Sequence, residues 1–137
     1  MADFEKVALL TMRNGRFLMC RKDHFTSKLI LPGGRIEPGE TALDCLQREI
    51  REELGDIDVV SPRHIGTYED MAHADDPAIR KTLRIELYEG SLNAEPRPCN
   101  EIVALSWFGP ESDTDELTPI FVNQILPDLR KMGILPW

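Results

Sequence analysis

Glu49, Glu52 and Glu53 stand close together, a short way after Pro32-Gly33-Gly34. On a helix turning about 100° per residue, these three carboxylates gather in one arc. Leu43, Leu46, Ile50 and Leu54 form a separate apolar stripe. The stripe is expected to face the core and the carboxylates to face outward together. Like charges three or four residues apart on a helix repel by a few tenths of a kcal/mol per pair, so the cluster calls for something positive. Arg48, one turn before Glu52, neutralises part of it. A hard divalent cation does so more fully, and carboxylate oxygens with carbonyls from a glycine turn are ligands that suit Mg²⁺ or Mn²⁺. The competing reading is a solvated face of a Glu- and Arg-rich helix with no chemistry.

The elements that must position these residues follow from pattern. Residues 7–12 are a β-rich apolar run, Arg13-Asn14-Gly15-Arg16 carries the Asn-Gly signature of a tight hairpin, and residues 17–20 return as the partner strand. Residues 29–31 read as a short strand broken by Pro32-Gly33-Gly34, which is expected to turn rather than pair. Thr41 caps a helix over Ala42–Leu54, with Asp44 three residues on and Gly55 placed to end it. Strands are expected over residues 59–68, over 82–88 with Leu83, Ile85 and Leu87 alternating inward, and over Ile102–Phe108. Thr118-Pro119 opens a C-terminal helix that Pro127 must kink or divide. Antiparallel strands with helices packed on them give an α+β sandwich rather than a doubly wound parallel fold.

Composition narrows the function classes. The chain has 137 residues, 42% hydrophobic and 29% charged, enough for one core and one domain over residues 1–137. Its formal charge of −8 argues against a broad basic face for a nucleic-acid polymer or an anionic membrane. Cys20, Cys45 and Cys99 are too few and too scattered for a disulfide framework or a zinc knuckle. With no membrane-length apolar run and no basic signal-like start, a cytoplasmic protein, monomer or homodimer, is the expectation.

The spacing of the acidic stretch is more specific than its composition. Gly34, five residues, Glu40, seven residues, then Arg48-Glu49-Ile50-Arg51-Glu52-Glu53-Leu54-Gly55 resembles the Nudix box at all seven of its fixed identities. With each residue type at about 5–7% usage, seven matches in one register arise by chance with a probability on the order of 10⁻⁸. The resemblance extends to Pro32-Gly33 before the box, to Glu101 ahead of Ser106-Trp107-Phe108, and to the chain length. One position departs. Asp56 stands where the box ends in an aliphatic residue, with Ile57 behind it.

This resemblance implies a Nudix-type α/β/α sandwich with a mixed, mostly antiparallel sheet. It implies hydrolysis of a nucleoside diphosphate linked to a further group, with Mg²⁺ or Mn²⁺ and an attacking water, on a small-molecule nucleotide. Carried over by position, Glu52 and Glu53 bind metal, Glu49 binds metal or takes the proton from water, and Gly33 and Glu101 complete the ligand set. Glu49, Glu53 and Arg48 form the catalytic group, with Glu40 and Arg48 orienting the loop against the helix. Gly34, Arg21 and Lys22 are candidate substrate contacts, with ordinary strand-end charges the competing reading of the two cations. Asn123 resembles the asparagine of MutT-type members that would address a purine, against the reading of an exposed helix face or a backbone contact near Pro127. Ala72 and Ala74 lie near where ADP-ribose-type members carry proline and dinucleoside-polyphosphate members tyrosine, so nucleoside triphosphates are favoured. The purine reading extends to oxidised purine nucleotides. ADP-ribose, nucleotide sugars, dinucleoside polyphosphates or a catalytically silent nucleotide-binding module are the alternatives. His24, His64 and His73 read as loop or surface residues, Cys45 as a small packing residue, and Trp107 and Phe108 as core.

Overall fold

The structure, a computed structural model, describes residues 2–137. It opens with β1 (Phe4–Leu10), β2 (Met12–Arg13) and β3 (Arg16–Lys22). Asn14 and Gly15 have φ of 53° and 75°, the left-handed pair that a two-residue hairpin turn requires. The apolar run of residues 7–12 is not one strand, however. It breaks at Thr11, so that β1 joins a four-stranded sheet and β2 a three-stranded one.

After β3 come β4 (Gly33–Arg35), α1 (Ala42–Leu54), β5 (Val59–Met71), β6 (Thr82–Leu92) and β7 (Ile102–Phe108). The first sheet runs β4-β1-β6-β5 and the second β2-β3-β7. Among the strands of the described residues only β1 and β6 are parallel neighbours, so the arrangement is mixed and mostly antiparallel. Strand alternation then divides the core. Val7, Leu9, Leu18 and Cys20 pack with Leu46, Ile50 and Leu54 of α1. Ala8, Leu10, Phe17 and Met19 face the other way, toward Phe121, Ile125 and Leu129 near the C-terminus. Helices on both faces of the strands give the expected α+β, α/β/α sandwich.

Three local expectations are corrected. Leu29 and Ile30 form only single bridges, to Leu117 and Cys20, and the strand of this region is β4 instead. Gly33 and Gly34 pair with Ala8 and Val7 where a turn was expected. The reason is close approach: Gly33 has φ 148°, and a Cβ on it would stand 2.0 Å from the Val7 carbonyl oxygen. Gly33 is thus what lets β4 reach β1, while Gly34 leaves room for the Glu49 carboxyl. Third, β5 continues to Met71, with register irregularities after Val60 and His64, because β6 supplies partners along that length.

The C-terminal helix divides as proline demands. A π-turn over Phe121–Ile125 leads into α2 (Leu126–Lys131), where Pro127 occupies the first turn. The Leu126 amide reaches back to the Phe121 carbonyl, a wider loop that accommodates the residue lacking an N–H.

Candidate functional site

Helix α1 begins where the Asp44 amide donates to Thr41 Oγ1 at 3.1 Å and ends at Gly55, whose φ is 105°. Leu43, expected on the core stripe, is 45% exposed, and Cys45 takes the inward place beside Leu46, Ile50 and Leu54. Ile57 turns into the core behind Asp56, which supplies the aliphatic contact one residue late.

The carboxylates do not all face outward. Glu53 is 3% exposed, covered by the backbone of β4, and its Oε1 accepts the Gly33 amide at 2.9 Å. The Glu49 carboxyl packs against Gly34: a Cβ there would meet its carboxyl carbon at 2.1 Å. Glu52 alone of the three stays at the surface, with its side chain 53% exposed. Helical periodicity locates a side chain around the axis, but a strand lying across that face decides what solvent reaches.

Arg48 ties the cluster together. Its Nε and Nη2 donate to the two oxygens of Glu40 at 2.8 and 3.0 Å, and Nη1 reaches Glu49 at 3.0 Å and Glu52 at 3.4 Å. Nη2 also donates to the Arg35 carbonyl at 3.3 Å, which pins the loop before the helix. The bidentate pair holds the Glu40 carboxyl down to about 2. Glu53 moves the other way. Burial first, then the Glu49 and Glu101 charges, push it up to about 8 against the opposing Gly33 hydrogen bond. Burial and the neighbouring Glu52 raise Glu49 as well.

Glu49 and Glu53 open into one cavity of about 440 Å³. Gly33, Gly34, Glu49, Glu53, Glu101 and Lys22, all named from the sequence, line it. Lys22 Nζ stands 3.7 Å from Glu101. Glu52 and Arg48 are not in the lining, and Arg48 stands behind it. Arg21 turns away to the Ser27 carbonyl and to Glu116. Asn123 is exposed on the π-turn and lines no part of the cavity.

Further lining comes from residues not assigned to the site from the sequence, among them His24 and His73, expected to be loop or surface residues. Phe4 and Phe25 meet edge to face at 6.0 Å, and Thr26 Oγ1 pairs with His73 Nδ1 at 2.6 Å. His24 also lines the cavity, with Nε2 3.9 Å from Glu101. Of the three histidines only His64 lies outside, paired with Glu86. Thr26 and His73 are brought together from loops far apart in the chain, so no local spacing marks them. Lys6, on β1, lines the cavity too. Phe108 is buried, and Trp107 is half-buried with the Arg13 guanidinium 4.4 Å from its ring centre.

The donor chemistry suits a hard cation: carboxylates whose mutual repulsion and burial raise Glu49 and Glu53, beside backbone carbonyls of a glycine strand. As they stand, with Arg48 and the Gly33 amide holding their oxygens, no three acidic, histidine or cysteine groups among the described residues converge as a finished cation site. No helix among the described residues is long and apolar enough to cross a membrane.

Known proteins share this architecture. MutT protein from Methanosarcina mazei superposes with a TM-score of 0.74 at 21% identity, covering 94% of each chain. A NUDIX hydrolase from Nitrosomonas europaea gives 0.75 at 20% identity, covering 98% of this chain and 96% of that one. Among curated sequences, the nucleoside triphosphatase NudI of Escherichia fergusonii is 44% identical over 54 residues, 36% of this chain and 38% of that protein. The 8-oxo-dGTP diphosphatase of Escherichia coli is 31% identical over 70 residues, 49% of this chain and 51% of that one. The chain thus spans about half or less of the length of these curated relatives. The NUDIX domain family matches over residues 5–127, a stretch that contains β4, α1 and every carboxylate of the cavity, and the chain belongs to the Nudix family.

Proposed function

We propose that this chain is a divalent-cation-dependent nucleotide pyrophosphohydrolase, one Nudix domain over residues 1–137. Its substrate is a nucleoside diphosphate linked to a further group, and a (deoxy)nucleoside triphosphate converted to monophosphate and pyrophosphate is the reading preferred. The observation that carries it is the opening of Glu49, Glu53 and Glu101 into a single cavity that the aromatic rings of Phe4 and Phe25 also line. A phosphate chain suits the carboxylates and a planar base the rings.

Glu49, Glu53 and Glu101 with the Gly33 carbonyl would hold Mg²⁺ or Mn²⁺, and Glu52, which shares Arg48 with Glu49, would join from outside. The bound cation would supply charge neutralisation on the phosphoryl oxygens and acidify the attacking water. The chain's own residues do the rest. Arg48 fixes the direction of Glu49 and Glu40, and the Gly33 amide fixes Glu53. A carboxylate of this cluster accepts the proton of the attacking water. Gly34 leaves the space that Glu49 and a phosphate need. Phe25 and Phe4 offer apolar faces to a base, and Thr26 and His73 offer polar edges to it.

The name of the Escherichia coli relative supports an oxidised purine triphosphate as a candidate, but Asn123 does not carry that reading, since it stands outside the cavity. The choice among substrates is tested by a panel of nucleoside triphosphates including 8-oxo-dGTP, ADP-ribose, nucleotide sugars and dinucleoside polyphosphates, assayed with Mg²⁺ for phosphate and pyrophosphate. Pyrophosphate release from triphosphates, abolished by EDTA, is the expected result. Full turnover in EDTA would sink the mechanism, and turnover of ADP-ribose alone would replace the substrate.

A further inference from the structure

Lys6 is a cation that the fold brings into the cavity and leaves there without a partner. It leaves β1 on the same side as Phe4 and Ala8, opposite Val7, which is packed against α1. Its neighbours across the sheet are Arg35 on β4 and Ile85 on β6. The other cations nearby are engaged. Lys22 faces Glu101 at 3.7 Å, and the Arg35 guanidinium lies 4.5 Å from the centre of the Phe4 ring. Among the described residues, Lys6 has neither a hydrogen-bond acceptor nor a carboxylate within bonding distance, while no fully enclosed side-chain nitrogen or oxygen lacks a partner. The Lys6 ammonium therefore keeps accessible surface, and the space it lines is the cavity.

An ammonium drawn away from bulk water without a counter-charge is unfavourable. Burial, then the Lys22 charge, lowers the Lys6 pKa from its ordinary value, and Glu53 and Glu101 act on it only through space. Alternation along β1 would equally have served with an apolar residue here, as Phe4 and Ala8 show on the same side. Along β1, Lys6 lies between Ala8, which pairs with Gly33 beside the carboxylates, and Phe4, which meets Phe25, so a phosphate chain joining carboxylates to aromatic rings passes its strand position. A lysine is a point charge with three donors and no acceptor, suited to phosphate oxygens and unsuited to the glutamates' own role.

We propose that Lys6 is a substrate-binding residue that takes a phosphate oxygen of the phosphoanhydride chain, an inference that rests on the cavity being the hydrolase site described above. The test uses the full chain in Mg²⁺ with inorganic tripolyphosphate as probe, by isothermal titration calorimetry, beside guanosine as a probe without phosphate. Lys6→Met keeps the stem and removes the charge. It is expected to weaken tripolyphosphate binding about tenfold or more, with guanosine unaffected and part of the affinity restored in Lys6→Arg. In turnover of whichever anhydride the wild type hydrolyses, KM should rise more than kcat falls. Unchanged tripolyphosphate affinity in a folded Lys6→Met protein, or an equal loss for guanosine, would overturn the assignment. Wild-type protein that binds no tripolyphosphate would overturn the hydrolase reading and Lys6 with it. If Lys6→Met does not fold, Lys6→Gln carries the same comparison.

Discussion

Glu53→Gln separates the proposed catalytic use of a buried carboxylate from its cost to the fold. In the folded protein Glu53 is held at about 8 against an ordinary 4.5. Between those values the folded chain keeps a proton that the unfolded chain has released, so stability falls as pH rises from about 4.5 to 8 and levels off above. At roughly 1.4 kcal/mol per pH unit the full difference is up to about 5 kcal/mol. Some relaxation of the site on ionisation brings the expected figure to roughly 2–5 kcal/mol. Glutamine keeps the oxygen that accepts the Gly33 amide and removes the charge. In EDTA, urea unfolding at pH 9 should therefore find Glu53→Gln more stable than wild type by that amount, whereas at pH 5 the two should agree within about 1 kcal/mol. Added Mg²⁺ should narrow the gap at pH 9 by stabilising the wild type alone, while hydrolysis by the variant drops by orders of magnitude. Wild type at least as stable as Glu53→Gln at pH 9 in EDTA would refute the reasoning, since the carboxylate would then be compensated within the fold.

Other substitutions probe the supports. Arg48→Ala leaves the carboxylates of Glu40 and Glu49 without their shared partner, and should cost about 2 kcal/mol in urea unfolding along with most of the activity; activity within twofold of wild type would remove Arg48 from the machinery. Gly34→Ala puts a methyl group 2.1 Å from the Glu49 carboxyl carbon, at the end of a side chain that can swing away, whereas Gly33→Ala puts one 2.0 Å from the Val7 carbonyl oxygen, which cannot. The first should fold and lose activity about a hundredfold, and the second should unfold or melt far lower; the reverse order in melting curves would show that β4 can shift. Asn123→Ala, on the exposed side of the π-turn, should leave KM for purine and pyrimidine triphosphates alike, as steady-state kinetics will show.

The parts of the fold that rest on local chemistry are legible in the sequence. The helix Ala42–Leu54 and the strand Ile102–Phe108 follow from cap, periodicity and terminator, and the hairpin follows from Asn14-Gly15. What fails are statements about distant pairing, such as the turn expected at Gly33-Gly34, and statements about coverage. Glu53 lies off the apolar stripe and is nonetheless buried, because β4 crosses that face of α1; Leu43 lies on the stripe and is nonetheless exposed. Periodicity measures angle around one helix and holds no record of a strand supplied from elsewhere in the chain. Lys6 is hidden for a related reason: a charged residue alternating with Val7 reads as a solvent-facing position, and only the sheet order shows that the space it faces is the cavity.

A cluster of glutamates on a helix looks the same whether it meets solvent or a substrate, so the helix alone cannot tell a site from a surface. The discriminating signal lies in the glycines, and it is a signal of missing side chains. At Gly33 a Cβ would strike the backbone of β1, and at Gly34 it would strike Glu49; together they allow a strand to lie between sheet and helix with its amide on Glu53. That contact buries a carboxylate, burial raises its proton affinity, and a charge held at that disadvantage is the one with most to gain from a cation. Gly33-Gly34 and the glutamates of α1 therefore act as a single unit of structure, and substituting either glycine perturbs the electrostatics of a residue some twenty positions away in the chain.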